Sequence, residues 1–268
     1  SVIAGLTNIT TVTNFRQGDH VWGGSAAPLM QYLDFILFRD RENPTLTLNI
    51  GGIANAHLAH KDRRKMVACD TGPGNILSDN GAKHLLNQPW DTDGATAANG
   101  MVNDKMMADL KNHPYFQRAI PRSLWPRNDF SMKYCEELFA RHPNTTTEDI
   151  MATLCAFTAE AVAISLSDNV PKEALDEVGY MYASGGGVKN KQIMRYIQEK
   201  LPSNITLLLS SEIGIPPEFK EALKFSTLAF STINKIANNI PAASHASQYT
   251  ILGKVSYAPW KAQGVQPM

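Results

Sequence analysis

Cysteine is scarce in this chain: its 268 residues hold only Cys69, Cys135 and Cys155, an odd number with no CxxC pair. A disulfide framework is therefore not expected, and a reducing, cytoplasmic compartment is. The seven histidines are scattered without an HExxH spacing, so a zinc site is not expected either. Neither sign of charge is in excess, with 25 basic against 25 acidic residues, which leaves no electrostatic footprint for nucleic acid or an anionic membrane. No run of about 18 apolar residues is present, so a transmembrane helix is not expected. The first residues also lack a basic-then-apolar signal pattern. The Gly-x-x-x-x-Gly-Lys-Ser/Thr loop is missing, and with it support for a P-loop fold. Internal repeats and low-complexity tracts are missing too.

What remains is an ordinary globular composition, 43% hydrophobic, long enough for one large domain or two small ones. Strands are predicted over residues 9–13, 46–50, 57–59, 66–69, 178–183 and 205–209 from their β-branched and apolar runs. Helical spacing predicts helices over 29–38, 76–86, 130–142, 147–167, 191–200 and 217–236, with a short one near 102–111. Residues 14–27 read as a polar loop and 87–130 as largely irregular. Residues 258–268 read as a loose tail. Strands alternating with helices give an α/β class. The opening residues read as the end of a helix running into a strand, a start inside a domain.

The chemistry concentrates in glycine turns that follow strands. Cys69-Asp70-Thr71-Gly72-Pro73-Gly74-Asn75 sets one carboxylate at a turn opening the helix at Ile76. Leu48-Asn49-Ile50-Gly51-Gly52-Ile53-Ala54-Asn55 runs a strand into a Gly-Gly turn. Val178–Ala183 ends in Ser184-Gly185-Gly186-Gly187, with Asn190 three residues on. Bare backbone at such places can approach a phosphate closely, and ligands of α/β sheets bind at these strand ends. Asp70 suits a general base toward water or a hydroxyl, and equally an N-cap or Asx turn. Gly51-Gly52 alone reads first as a hairpin turn, and the triple glycine as a flexible connection. Glu221, one turn into a helix begun by Pro217, faces a cleft or else pairs with Lys220 or Lys224. Arg16 and Asp19 share a loop and reach sugar hydroxyls, or else pair with each other at the surface.

The order of these motifs resembles the anhydro-N-acetylmuramic acid kinase family, which includes levoglucosan kinase-like proteins. The matching pieces are Phe15-Arg16-x-x-Asp19, Gly23-Gly24 through Ala27-Pro28-Leu29, Asn49 to Asn55, and Asp70 to Asn75 with Asp79. They continue with Asp91-x-x-Gly94-x-x-Ala97-x-x-Gly100, Pro114-Tyr115-Phe116, Gly185 to Gly187 with Asn190, Gly214 to Pro217 with Glu221-Ala222, and Leu252-Gly253-Lys254. The resemblance runs over roughly residues 3–255. It implies an actin-like, hexokinase-type (ribonuclease H-like) fold, here mostly the C-terminal lobe with part of the N-terminal one. It also implies an ATP- and Mg²⁺-dependent kinase that hydrolytically opens a 1,6-anhydrosugar while phosphorylating O6. By motif, Asp70 becomes the base, and Gly51 and Gly52 a phosphate turn. Gly185, Gly186, Gly187 and Asn190 become the nucleotide segment. Arg16, Asp19, Thr71 and Glu221 become substrate contacts, with Glu221 also near the metal. A cytoplasmic homodimer acting on a small sugar, with neither nucleic acid nor membrane as partner, goes with it.

The chain departs from the family pattern in places. The family's Gly-Thr-Ser-x-Asp-Gly phosphate turn is not among the 268 residues, so the expectation is of an N-terminally truncated chain. Asn14 stands for an Asp and Ser25-Ala26 for Gln-Gly. Pro121 to Phe130 replaces a Pro-Lys-Ser-Thr-Gly-Arg-Glu type run on the substrate side. These departures keep a second reading open, a non-catalytic nucleotide- or sugar-binding pseudokinase.

Overall fold

A computed structural model describes residues 2–120 and 122–259, so most of the tail expected at 258–268 lies outside the described residues. In chain order the elements are α1 (Val2–Thr7), β1 (Thr11–Thr13), α2 (Gln17–Val21), α3 (Gln31–Phe38), β2 (Thr45–Ile50), β3 (Ile53–Ala59), β4 (Val67–Pro73), α4 (Ile76–Gly81), α5 (Asp104–Lys111), α6 (Pro126–Asp129) and α7 (Met132–Arg141). They continue with α8 (Thr147–Asn169), α9 (Lys172–Glu177), β5 (Tyr180–Ser184), α10 (Lys191–Lys200), β6 (Thr206–Leu209), α11 (Lys220–Ile233), α12 (Pro241–Ser244) and β7 (Lys254–Ser256). Short 3-10 turns punctuate the stretch between α4 and α5.

Five strands form one mixed sheet in the order β4-β3-β2-β5-β6. Strands β2, β3 and β4 run as an antiparallel meander, and β5 and β6 lie parallel to β2. That is the ribonuclease H-like sheet of an actin-like lobe, the fold the resemblance implied. A separate small ladder pairs β1 with β7.

Period-two alternation assigns the two faces of the sheet. Leu46, Leu48 and Ile50 of β2, Ala54, Ala56 and Leu58 of β3 and Cys69 of β4 enter one core with Met151, Leu154 and Phe157 of α8. Ala59, Ala68 and Tyr182 enter a second core with Tyr32 and Phe38 of α3 and Leu228 of α11. The residues between, Thr47, Asn55, His57 and Asp70, share that second face. Helix α8 is apolar and long enough to cross a membrane by length and composition, which the sequence reading did not find. It is instead the core helix, with residues from Ile150 to Leu166 largely buried.

Several boundaries differ from expectation. Strand β3 starts directly after Gly52, because it pairs with β2 from Ile50↔Ala54 onward. The polar loop at 14–27 holds the short helix α2. The helix predicted over 76–86 is α-helical only to Gly81 and closes in a π turn that ends at Asn87, in the left-handed region. Three glycine turns meet at one sheet end. The Gly74 N–H donates to the Gly52 carbonyl at 3.0 Å and that of Asn75 to the Gly51 carbonyl at 2.7 Å. A Cβ on Gly74 would run into the Gly51 carbonyl oxygen, and one on Gly185 (φ +88°) would lie 2.5 Å from the Ile50 carbonyl. Glycine is needed at both for the turns to approach.

Candidate active site

Asp70 lies within β4 rather than in the turn expected for it. It faces Asn55 across the ladder, and the strand runs on to Pro73 opposite Ile53. The turn comes later because β3 keeps pairing that far. The N-cap reading also falls away, since Asn75 occupies the N-cap of α4. The Asp70 carboxylate is half-buried, and among the described residues its one hydrogen-bond donor is the Leu124 N–H at 3.2 Å. Its main chain is held by the Tyr115 hydroxyl, which donates to the Asp70 carbonyl at 2.8 Å. Burial pushes the Asp70 pKa up, against the Leu124 N–H and the nearby His57 and Arg16, which pull it down. With one donor among the described residues and a place in a cleft wall, the carboxylate has lone pairs free for a water or hydroxyl.

Asp70 lines a cleft of about 570 Å³ together with Arg16, Asn49, Gly51, Gly52, Asn55, Glu221 and Lys224. A Cβ on Gly52 would meet nothing within 4 Å, so its backbone faces open space. Arg16 donates to the Ala26 carbonyl, and no Arg16–Asp19 pair forms. Glu221 stands in the first turn of α11, 67% exposed, with Lys224 Nζ 2.9 Å from its Oε1. Helix α11 begins at Lys220, after a 3-10 turn over Pro217–Phe219.

A second cleft of about 360 Å³ is lined by Asn75, Ser78, Asp79, Trp90, Gly186, Gly187 and Asn190 among others. The two clefts adjoin at the glycine junction, where Gly187 packs against Ile50 and the Asn75 side chain. Gly186 keeps its backbone toward open space, with only Asn75 Nδ2 at 4.0 Å from a built Cβ. Asn75 Oδ1 is buried without a partner among the described residues. Burial raises the pKa of Asp79, which Lys83 counters only in part. Trp90 is 58% exposed at this cleft.

Two expected ligand contacts stand elsewhere, and a third is partly engaged. Asp19 is buried and accepts from Ser244 Oγ (2.9 Å), Asn239 Nδ2 (3.0 Å) and the Ala26 N–H (2.9 Å). It therefore pins the loop that brings Ala27 and Pro28 to the cleft and does not line it. Thr71 is the unpaired residue where the β3–β4 register shifts, Asn55 facing Asp70 and Ala54 facing Gly72. It is wholly buried, its hydroxyl has no partner among the described residues, and its carbonyl accepts from Ser165 Oγ at 2.9 Å. The Asn190 side chain caps α10, accepting from the Gln192 and Ile193 N–H groups at 3.1 Å. It lines the second cleft but its amide oxygen is already used.

Under the first cleft sits a charge cluster that sequence reasoning missed. Asp34, wholly buried, accepts from Thr47 Oγ1 and from His57 Nδ1, both at 2.6 Å. Lys220 Nζ stands 3.0 Å from its other oxygen, off hydrogen-bond alignment. Burial alone would raise the Asp34 pKa, but the Lys220 charge and the His57 and Thr47 hydrogen bonds hold it well below the usual carboxylate range. Lys224, Asn49, Asn55 and Trp90 were likewise given no site role. Lys224 carried a signal, three residues from Glu221 on one helical face, and Asn49 and Asn55 stood at the ends of a matching motif.

A family model described as anhydro-N-acetylmuramic acid kinase matches residues 1–258. The chain belongs to the anhydro-N-acetylmuramic acid kinase family. It is 36% identical to the anhydro-N-acetylmuramic acid kinase of Francisella tularensis subsp. novicida (strain U112), over 96% of this chain and 67% of that protein. It is 36% identical to that of Shewanella halifaxensis (strain HAW-EB4), over 94% of this chain and 66% of the relative. For Bacillus cereus (strain ZK / E33L) the identity is 34%, over 97% and 68%. The anhydro-N-acetylmuramic acid kinase family member described here thus spans about two thirds of these relatives' length. Among solved structures, the activator of the 2-hydroxyisocaproyl-CoA dehydratase from Clostridium difficile with bound ADPNP aligns at a TM-score of 0.46 and 16% identity, over 77% of this chain and 66% of that one. A likeness at that level decides nothing about activity.

Proposed function

We propose that this chain carries the water-activating carboxylate and a phosphate turn of an ATP-dependent 1,6-anhydrosugar kinase. The observation that carries the reading is Asp70: a desolvated carboxylate with an open side, in one cleft with the Gly51-Gly52 turn and Glu221. In the reaction, Asp70 takes a proton from water as the water oxygen bonds to the anomeric carbon. The C1–O6 bond breaks, and O6 receives the terminal phosphoryl group of ATP. Sugar, water and ATP give sugar 6-phosphate, ADP and one proton. The remaining work is positioning and charge stabilisation.

The residues present suit the nucleotide, because the Gly52 and Gly186 backbones face open space on turns that the Gly185 and Gly187 contacts with Ile50 bring together. Magnesium is commonly held by one or two carboxylates plus phosphate oxygens, and Glu221 supplies one exposed carboxylate at the cleft. The metal would neutralise phosphate charge there. Adenosine belongs in the second cleft beside Gly186 and Trp90. Arg16 is the sugar-side cation of this reading, and Asp19 and Thr71 support from behind. Relatives named as anhydro-N-acetylmuramic acid kinases favour that sugar over levoglucosan. A cytoplasmic homodimer is part of the same reading.

One observation favours the rival, a nucleotide- or sugar-binding protein without transfer: the Glu221 carboxylate is already engaged by Lys224. The test is ADP release from Mg-ATP, with and without 1,6-anhydro-N-acetylmuramic acid or levoglucosan, by the 268 residues and by a version extended to carry the family's Gly-Thr-Ser-x-Asp-Gly turn, the version to which the expectation applies. Sugar-dependent release is the expected result. Nucleotide or sugar binding with no release would move the assignment to the rival.

A further inference from the structure

Two fixed cations line the first cleft, and they are not equally engaged. Arg16 is tied to the Ala26 carbonyl and acts on the Asp70 side, where its charge counters the upward shift of that carboxyl. Lys224 is different. Its side chain is nine-tenths buried, yet it lines the cleft. Among the described residues its Nζ meets Glu221 Oε1 at 2.9 Å and the Phe225 ring at 4.3 Å to the centroid. Phe225 is itself braced by Phe15, 5.6 Å between ring centroids. The stem is thus held, while the carboxylate partner is two-thirds exposed.

The exposed Glu221 carboxylate is screened by solvent, so the pair can exchange partners. A lysine ammonium is a compact point charge suited to phosphate oxygens, and a triphosphate reaching the Gly51-Gly52 turn enters the same cleft. We propose that Lys224 is a phosphate-binding residue of this cleft, exchanging Glu221 for the terminal phosphoryl group of bound ATP and thereby releasing the Glu221 carboxylate toward the nucleotide's metal. The inference rests on the nucleotide reading above. It turns the Lys224–Glu221 pair from an obstacle into a switch: each ion's partner in the pair is replaced by a part of Mg-ATP.

The test is equilibrium binding of ATP and ADP, each with and without Mg²⁺, to the wild type and to Lys224→Met, Lys224→Arg and Glu221→Gln. Lys224→Met is expected to weaken ATP binding about tenfold or more, as for loss of a charge-assisted contact worth about 1.5–3 kcal/mol, and to change ADP binding about twofold or less. Lys224→Arg keeps the charge and should keep most of the preference for ATP. Without Mg²⁺, Glu221→Gln should bind ATP at least as tightly as the wild type, because Lys224 has lost its competing partner. An unchanged ATP-to-ADP ratio in a Lys224→Met protein that melts like the wild type overturns the proposal. Failure of the wild type to bind either nucleotide overturns the nucleotide reading itself, a distinguishable result.

Discussion

Asp70→Asn is expected to lower sugar-dependent turnover by about 10²–10⁴-fold, the range of a lost general base, while nucleotide affinity stays within about twofold. The amide is isosteric, and its oxygen can still accept the Leu124 N–H that now binds the carboxylate. What it loses is the ability to take a proton. The stability effect should have the opposite sign. A carboxyl whose folded pKa is raised binds its proton more tightly in the fold, so its contribution is favourable in acid and is lost as pH rises through the folded pKa. At neutral pH its buried charge is a net cost, and the Asn variant should melt at or above the wild-type temperature. The pH profile follows from the same shift. Turnover should fall on the acid side, beginning at a higher pH than for an ordinary carboxylate. A variant that loses binding and turnover together would remove Asp70 from the role of base.

Lys220→Met is expected to be the most destabilising single change among the site's supports. It strands the wholly buried Asp34 carboxylate with only His57 and Thr47 as partners. Breaking a buried pair on one side costs about 3–5 kcal/mol, a drop in melting temperature on the order of 10 °C for a chain of this size. Denaturant or thermal melts read it directly. The double change Asp34→Asn with Lys220→Met should recover most of the loss, since neither charge is then buried alone. Because the folded pKa of Asp34 is depressed, the pair's contribution is present at neutral pH and is lost as pH falls through that depressed value. The pair also has a positional consequence. It fastens the start of α11, and so Glu221 and Lys224, to the face of the sheet that carries Asp70. A double variant with a restored melt should still show altered ATP binding.

Much of this site was legible in the sequence because it is local. Gly51-Gly52 and Gly185 to Gly187 each follow a strand, Asp70 stands near the end of one, and close approach demands glycine at 74, 185 and 187. Their convergence was legible only from the ordered motifs, since the β2–β5 pairing joins residues far apart in the chain. Misreading the end of β4 as a turn had a specific cost. Because residues 67–73 are a strand with a register shift at Thr71, that residue is wholly buried in the sheet and does not line the cleft beside Asp70. Asp19 stood in the right motif, but polar side chains beside glycine turns are also the ones that fasten loops; Asn190 lines the second cleft while capping α10. The Asp34–His57–Lys220 cluster had no local signal. Its members come from α3, β3 and α11, and only the topology brings them together.

The most direct measurement is turnover of Mg-ATP and the anhydrosugar in H₂¹⁸O, with early-time mass analysis of the products before anomeric exchange. The account predicts one ¹⁸O in the sugar phosphate, at the anomeric hydroxyl, with ADP formed one for one and the phosphate ester oxygen unlabelled. Label appearing in inorganic phosphate instead, with the sugar unlabelled, would mean that water attacks ATP rather than the anhydro bridge, and would contradict it.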